Sequence, residues 1–219
     1  MSYGPDDLAA EFNLSRDVIA RLKTFDAVLL DWSSRHNLIA RSTMPERWER
    51  HYRDSAQLYA LMPAGAETLV DLGSGAGFPG LVLAAMGAER GLSVTLVESI
   101  GKKAAFLAAA IDAMALGNAR VIPQRIESIT ISAPDVVTAR ALAQLPKLLF
   151  YAHEFADEKT VLILPKGQDV EAELTEAAKS WHISAEKHPS VTSPGSAILV
   201  IRHFRPKGHA APRKTRKPL

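Results

Sequence analysis

Cysteine is absent from the 219 residues of this sequence. Its absence excludes disulfide bonds, thiolate zinc sites, iron–sulfur clusters and a cysteine nucleophile. The sequence also lacks a long apolar run that could span a membrane, and its first residues lack the basic start and apolar stretch of a secretory signal. We therefore expect a protein of the cytoplasm that has no membrane partner.

Acidic residues are absent from residues 205–219, which contain six lysines or arginines, although the whole chain has a net charge of only +2. Such a segment is predicted to be a disordered tail that is attracted to polyanions. A solubilising end without a partner is the alternative, and composition alone does not decide between them. The seven histidines show no metal-ligand spacing, so we predict no metal site.

Apolar residues make up 47% of the chain, enough for one good-sized core with an appendage. Residues 1–62 are predicted to form a helical region, since one apolar stripe recurs at three- and four-residue steps. The stripe consists of Val18, Leu22, Phe25, Leu29 and Trp32. Short apolar runs separated by helical segments begin at Thr68 and indicate a parallel sheet in a second region, residues 63–204.

The order of these runs predicts the type of sheet. Strands are expected at 68–72, 94–97, 120–122, 136–139, 160–164, 182–186 and 197–201, and helices at 80–89, 102–116, 142–155 and 169–180. The last two strands are best interpreted as an antiparallel hairpin. Five alternating strand and helix units followed by a hairpin are typical of the Rossmann-like, seven-stranded α/β sheet of class I methyltransferases that use S-adenosylmethionine, whereas a dinucleotide-binding fold would continue with parallel units.

A glycine-rich turn follows the first predicted strand. Residues 75–80 match G-x-G-x-x-G, and the predicted cofactor contacts in and before this turn are Asp71, Gly73, Gly75 and Gly77. Asp71 favours S-adenosylmethionine over a nicotinamide dinucleotide, because a carboxylate repels a pyrophosphate but suits a cation without phosphate. Glu98, which ends the second strand, is placed to bind ribose hydroxyls, and both cofactors have these.

Further motifs accompany this turn along most of the chain. They are Asn37 with Leu38, residues 48–51 with Asp54 and Ser55, residues 78–80, Glu98 with Ser99, Lys102 with Lys103, Phe106 with Leu107, residues 125–127, residues 138–142, and Lys166 with Gly167. With these motifs the chain resembles the RsmG (GidB) family from about residue 32 to residue 204. Ile39 departs from the family pattern, where many relatives have threonine. The resemblance implies an enzyme that uses S-adenosylmethionine to methylate N7 of a guanine in 16S ribosomal RNA.

The resemblance also implies site residues. It assigns Gly73 and Phe78 to the cofactor pocket, Ile126 and Glu127 to the adenine, and Arg140 to the methyl-transfer end. From the residues alone, Glu127 could accept a hydrogen bond from the adenine amine. Arg140 and Arg125 follow strand ends on the ligand-binding side, so we predict catalytic roles for both, with ordinary salt bridges as the alternative.

The predicted chemistry needs neither a base nor a metal. Guanine N7 carries an in-plane lone pair and no proton, so catalysis rests on alignment and on donors to O6 and the phosphates. Methylation of pyrimidine C5 would need a cysteine. Methylation of an exocyclic amine is disfavoured, because residues 138–141 lack the Asn/Asp-Pro-Pro-aromatic turn that such enzymes share.

The expected partner is 16S RNA or the small ribosomal subunit, bound by a monomer, and not DNA. Predicted RNA contacts are Arg47, Arg50, Lys102, Lys103 and Lys166. Self-paired helix charges are the alternative for the first cluster, because Glu46 and Arg50 are spaced i,i+4, as are Glu49 and Arg53. Two other functions stay open, a ribosome-assembly factor without catalysis and a small-molecule methyltransferase.

Overall fold

The computed structural model describes residues 3–208, so most of the predicted tail, residues 209–219, lies outside the described residues. Within them, seven strands form one sheet. The strands are β1 (Thr68–Leu72), β2 (Ser93–Val97), β3 (Ala119–Ile122), β4 (Val136–Ala139), β5 (Val161–Lys166), β6 (Trp181–Pro189) and β7 (Ala197–Pro206). Their order is β3-β2-β1-β4-β5-β7-β6.

Strands β1 to β5 are mutually parallel, and β7 is antiparallel to both β5 and β6. The predicted antiparallel hairpin is therefore confirmed. Parallel neighbours bring the carboxyl ends of β1, β2 and β4 to one edge of the sheet, where ligands bind in open α/β folds.

Helices cover both faces of the sheet. They are α1 (Pro5–Phe12), α2 (Arg16–Arg35), α3 (Asp54–Ala56), α4 (Gly80–Gly87), α5 (Gly101–Ala113), α6 (Leu145–His153) and α7 (Val170–Ser180). A π-helical turn, Trp48–Arg53, leads directly into α3. We refer to residues 48–56 as the π-helical segment. Among residues 3–208, no helix is long and apolar enough to cross a membrane.

The N-terminal helices share a hydrophobic core with the sheet. The predicted apolar stripe of α2 is confirmed, since Leu22, Phe25 and Leu29 are fully buried. The Phe25 ring lies 5.1 Å from the Phe78 ring of the glycine-rich turn and 6.3 Å from the Phe106 ring of α5. The helical region thus packs directly behind the predicted cofactor turn. Helices α6 and α7 pack on the opposite face of the sheet.

The alternation of strands and helices is interrupted after β3, where no helix was predicted either. The described chain has only a 3₁₀ turn there, Ile126–Ser128, before it reaches β4. Pro123 and Pro134 interrupt the intervening segment, which lacks an apolar stripe at helical spacing. At the other end of the domain, β7 continues to Pro206, two residues into the predicted tail.

Candidate active site

The glycine-rich turn joins β1 to α4 at the carboxyl edge of the sheet. Gly73, Gly75 and Gly77 all have positive φ, with values of 65°, 55° and 85°. At Gly73 an added Cβ would lie 2.6 Å from Leu142 Cδ1, so a side chain fits neither the backbone conformation nor the space. The turn therefore needs glycine there, and its backbone is left open to a ligand.

Asp71 lies beneath this turn and not on a cavity wall. Its side chain is fully buried, and Thr138 Oγ1 donates a hydrogen bond of 2.9 Å to Asp71 Oδ1. Burial raises the pKa of Asp71 to about 6, against the effect of hydrogen bonds such as that from Thr138. The position indicates that Asp71 supports the turn from behind.

Glu98 connects the turn to the end of β2. Its Oε2 accepts a hydrogen bond of 2.9 Å from the backbone N–H of Gly75, and its Oε1 accepts one of 2.7 Å from that of Ile100. The side chain is 5% exposed. These two bonds fix the carboxylate at the edge of a cavity that the turn also borders.

This first cavity, of about 310 Å³, brings together several of the predicted residues. Its walls include Gly73, Glu98, Lys103, Arg125, Ile126, Glu127, Ala141, Leu142 and Tyr151. Tyr151 was not predicted; its hydroxyl donates a 3.2 Å hydrogen bond to Glu127 Oε1. Phe78 was predicted to contact the cofactor, but its ring is 3% exposed and packs in the core behind the turn.

Arg140 follows β4 and lies against the π-helical segment. Its Nη1 is 3.0 Å from His51 Nδ1, 3.3 Å from the Arg50 carbonyl oxygen and 3.5 Å from Asp54 Oδ2. The guanidinium carbon is 5.3 Å from the centre of the Phe78 ring. Burial lowers the pKa of Arg140, and the Asp54 carboxylate opposes that shift. The arginine is thus held in place from two sides.

A second cavity, of about 740 Å³, lies at the ends of β4 and β5. Arg140 and Ala141 line it, and Ala141 also lines the first cavity, so the two cavities meet at this point. Its other walls include Glu46, Glu49, Arg50, Asp54, Lys166 and residues of the loop between β6 and β7, such as Thr192 and Ser193.

The predicted RNA-contact residues have different surroundings. Arg47 forms a two-pronged ion pair with Asp26, at 2.6 and 2.7 Å, and Lys166 pairs with Glu173 at 2.7 Å. Both cations are largely buried. The other three predicted contacts are more exposed: Arg50, Lys102 and Lys103. Arg50 forms a weak ion pair with Glu46 at 3.5 Å.

Arg125, predicted to be catalytic, is among the most exposed of these cations. Its side chain is 76% exposed, and its Nε is 3.7 Å from Glu127 Oε2. It therefore lies at the mouth of the first cavity and not at the junction of the two.

Comparison with known proteins places this site in a family. Residues 18–203 match the family model GidB, described as rRNA small subunit methyltransferase G. The chain belongs to the GidB family.

Relatives in this family match nearly the whole chain. Ribosomal RNA small subunit methyltransferase G of Rhodospirillum centenum is 44% identical over 94% of this chain and 94% of its own. The protein of the same name from Paramagnetospirillum magneticum is 44% identical over 95% of this chain and 100% of its own. The predicted family is therefore confirmed.

Solved structures show the same fold at low sequence identity. A SAM-dependent methyltransferase from Aquifex aeolicus superposes with a TM-score of 0.55 at 16% identity, covering 72% of this chain and 91% of its own. An O-methyltransferase from Bacillus cereus in complex with SAH gives 0.57 at 17% identity, covering 82% and 90%. The predicted fold class is confirmed, and with the family it confirms S-adenosylmethionine as the cofactor.

Proposed function

We propose that this protein transfers a methyl group from S-adenosylmethionine to N7 of a guanine in 16S ribosomal RNA. The observation that carries the proposal is the pair of cavities that meet at Ala141, with Arg140 beside the junction. A methyl-transfer enzyme must hold two reactants in line, and adjoining cavities offer one site for each. The family is described as rRNA small subunit methyltransferase G, and this description supports ribosomal RNA as the substrate class.

The first cavity fits the cofactor. Gly73 leaves the turn open, since a Cβ there would strike Leu142, and Glu98 offers carboxylate oxygens at the same edge. Ile126 and Glu127 supply an apolar contact and an acceptor for an adenine amine. When bound, S-adenosylmethionine supplies an electrophilic methyl group on a positively charged sulfonium.

In this proposal Gly75, Gly77, Phe78 and Asp71 shape the pocket from behind. The glycines adopt the positive φ angles that the turn requires. The Phe78 ring packs between the turn and Phe25 of the helical region. Asp71 is buried below the turn and adds negative charge near a cationic ligand. These residues therefore stabilise the pocket without extending into it.

The second cavity is assigned to the target guanine. Its N7 lone pair needs no base, so the protein must orient the ring and neutralise the surrounding phosphates. Arg140 is placed to donate to guanine O6 or to a phosphate at the junction. A base held in a stack could not enter this cavity, so an exposed or flipped nucleotide is the expected substrate.

Methyl transfer from labelled S-adenosylmethionine tests the function. The substrates are small ribosomal subunits and naked 16S RNA from cells that lack the modification, and the variants are Arg140→Ala and Arg202→Ala. Arg202 is an exposed arginine of β7 outside both cavities, so it serves as the matched control.

We expect label in RNA with the wild type and Arg202→Ala, and its loss with Arg140→Ala. No label on either RNA, while calorimetry shows cofactor binding, would contradict the proposal. That outcome would favour a small-molecule methyltransferase or an assembly factor without catalysis.

A further inference from the structure

We propose that His51 and Asp54 are positioning residues that orient the Arg140 guanidinium toward the junction of the two cavities. The inference rests on the proposed function only in that Arg140 acts on the RNA substrate there. Neither residue is required to touch a reactant; they act through Arg140.

The π-helical segment presents three acceptors to one arginine nitrogen. The Arg50 carbonyl, His51 Nδ1 and Asp54 Oδ2 all lie within 3.5 Å of Arg140 Nη1. π-Helical turns are uncommon and occur often at functional sites, because the widened turn changes which groups face inward. Here the turn faces an arginine that is 86 to 90 positions away in sequence.

The contact with Arg140 determines the protonation state of His51. Arginine has only donors, so His51 Nδ1 must be the acceptor, and the ring proton must be on Nε2. Nε2 is 3.1 Å from Thr43 Oγ1, and that hydroxyl donates to the Ala40 carbonyl oxygen at 2.8 Å. The chain of donors thus runs in one direction, from Arg140 through His51 and Thr43 to a backbone carbonyl.

The charge environment keeps His51 neutral. Burial, followed by the positive charges of Arg140 and Arg50, lowers the pKa of His51 to about 4. A neutral imidazole can accept from Arg140 at physiological pH, whereas an imidazolium would repel it.

Further contacts connect Arg140 to the glycine-rich turn and to the second cavity. The His51 ring is stacked on the Phe78 ring of the glycine-rich turn at 5.2 Å, and the Arg140 guanidinium faces the same ring. Asp54 Oδ1 accepts a 2.7 Å hydrogen bond from Thr192 Oγ1, on the loop that lines the second cavity. The orientation of Arg140 is therefore coupled to the cofactor turn and to the substrate loop.

A pair of His51 variants separates positioning from packing. His51→Phe keeps a ring to stack on Phe78 but removes the acceptor, whereas His51→Asn keeps an acceptor near the place of Nδ1 but removes the ring. Asp54→Asn removes the charge that faces Arg140. His182→Phe, at an exposed histidine of β6, is the matched control.

The first readout is kinetics with ribosomal RNA, together with the dissociation constant of S-adenosylhomocysteine and the thermal midpoint of each variant. We expect His51→Phe and Asp54→Asn to lower kcat about 10- to 100-fold, as misplacement of a catalytic group does, with less than a threefold change in cofactor affinity. His51→Asn should recover most of kcat, and His182→Phe should retain it. Unchanged kcat in His51→Phe would overturn the proposal, as would equal losses in both His51 variants.

The second readout needs no catalysis, so it separates failure of this inference from failure of the proposed function. Nitrogen-15 NMR of the full chain reports the His51 tautomer and the rotation of the Arg140 guanidinium, assigned with Arg140→Lys. We expect the Nε2–H tautomer and slow guanidinium rotation in the wild type and His51→Asn, and fast rotation in His51→Phe. An Nδ1–H tautomer, or fast rotation in the wild type, would contradict the proposal even if ribosomal RNA were not the substrate.

Discussion

Gly80 allows a direct test of how closely α4 packs on the strands below it. It is the first residue of α4, and an added Cβ would lie 2.7 Å from Asp71 Oδ2 and 2.8 Å from Leu96 Cδ2. Both neighbours are fully buried, so neither can move away into solvent. Gly80→Ala should therefore displace α4 or the carboxylate.

The expected loss follows from these contacts. Overpacking a close-packed core costs about 1–3 kcal/mol. Alanine also lowers the conformational entropy of the unfolded state relative to glycine, which offsets about 0.4–1 kcal/mol of this cost. We expect a net loss of about 1–2 kcal/mol in the free energy of unfolding, which for a domain of this size lowers the midpoint by roughly 2–8 °C. Urea unfolding measures this loss as a lower midpoint concentration of urea, provided that the m-value is unchanged.

Gly101→Ala is the matched control. Gly101 is also the first residue of its helix, α5, but an added Cβ there meets no atom within 4 Å. We expect it to leave stability within about 1 kcal/mol of the wild type or to raise it slightly. Equal losses in the two variants would refute the packing argument, because the helix position is the same and only the surroundings differ.

Two other predictions concern charge. Because burial raises the pKa of Asp71 to about 6 from an ordinary value of 3.8, the wild type should lose on the order of 3 kcal/mol of stability as pH rises from about 4 to 7. Urea titrations at several pH values should show no such loss in Asp71→Asn. If the free energy of unfolding changed with pH in the same way in the variant and the wild type, the pKa argument would be contradicted. Lys147 is exposed, and its ammonium lies 5.5 Å from the centre of the Tyr151 ring on the wall of the first cavity. Lys147→Gln should therefore weaken RNA binding and reduce the salt slope by about one. Filter binding at several salt concentrations tests this, with Lys159→Gln, at an exposed site outside both cavities, expected to keep the slope.

The sheet was predictable because its strands are short apolar runs whose pattern is local. Glu98 and Glu127 could be placed at one edge because parallel strands end together. The i,i+4 ion pairs of Arg50 with Glu46 and of Arg53 with Glu49 were also local, and both are confirmed.

Contacts between distant parts of the chain could not be predicted. Arg47 was considered for RNA binding, but Asp26, 21 positions earlier on α2, pairs with it. No periodicity joins Lys166 to Glu173, or Arg140 to His51, because these pairs form only when separate elements pack together. The hydroxyl of Tyr151 likewise reaches Glu127 only once α6 has packed on the sheet.

Chemical mapping of the product shows whether the methyl group is on guanine N7. Borohydride reduction followed by aniline cleaves RNA at 7-methylguanine, so RNA methylated in vitro can be mapped by primer extension. We expect one new cleavage site in 16S RNA treated with the wild type and none with Arg140→Ala. Label incorporated into 16S RNA without a new cleavage site would contradict it, since the methyl group would then be on another atom.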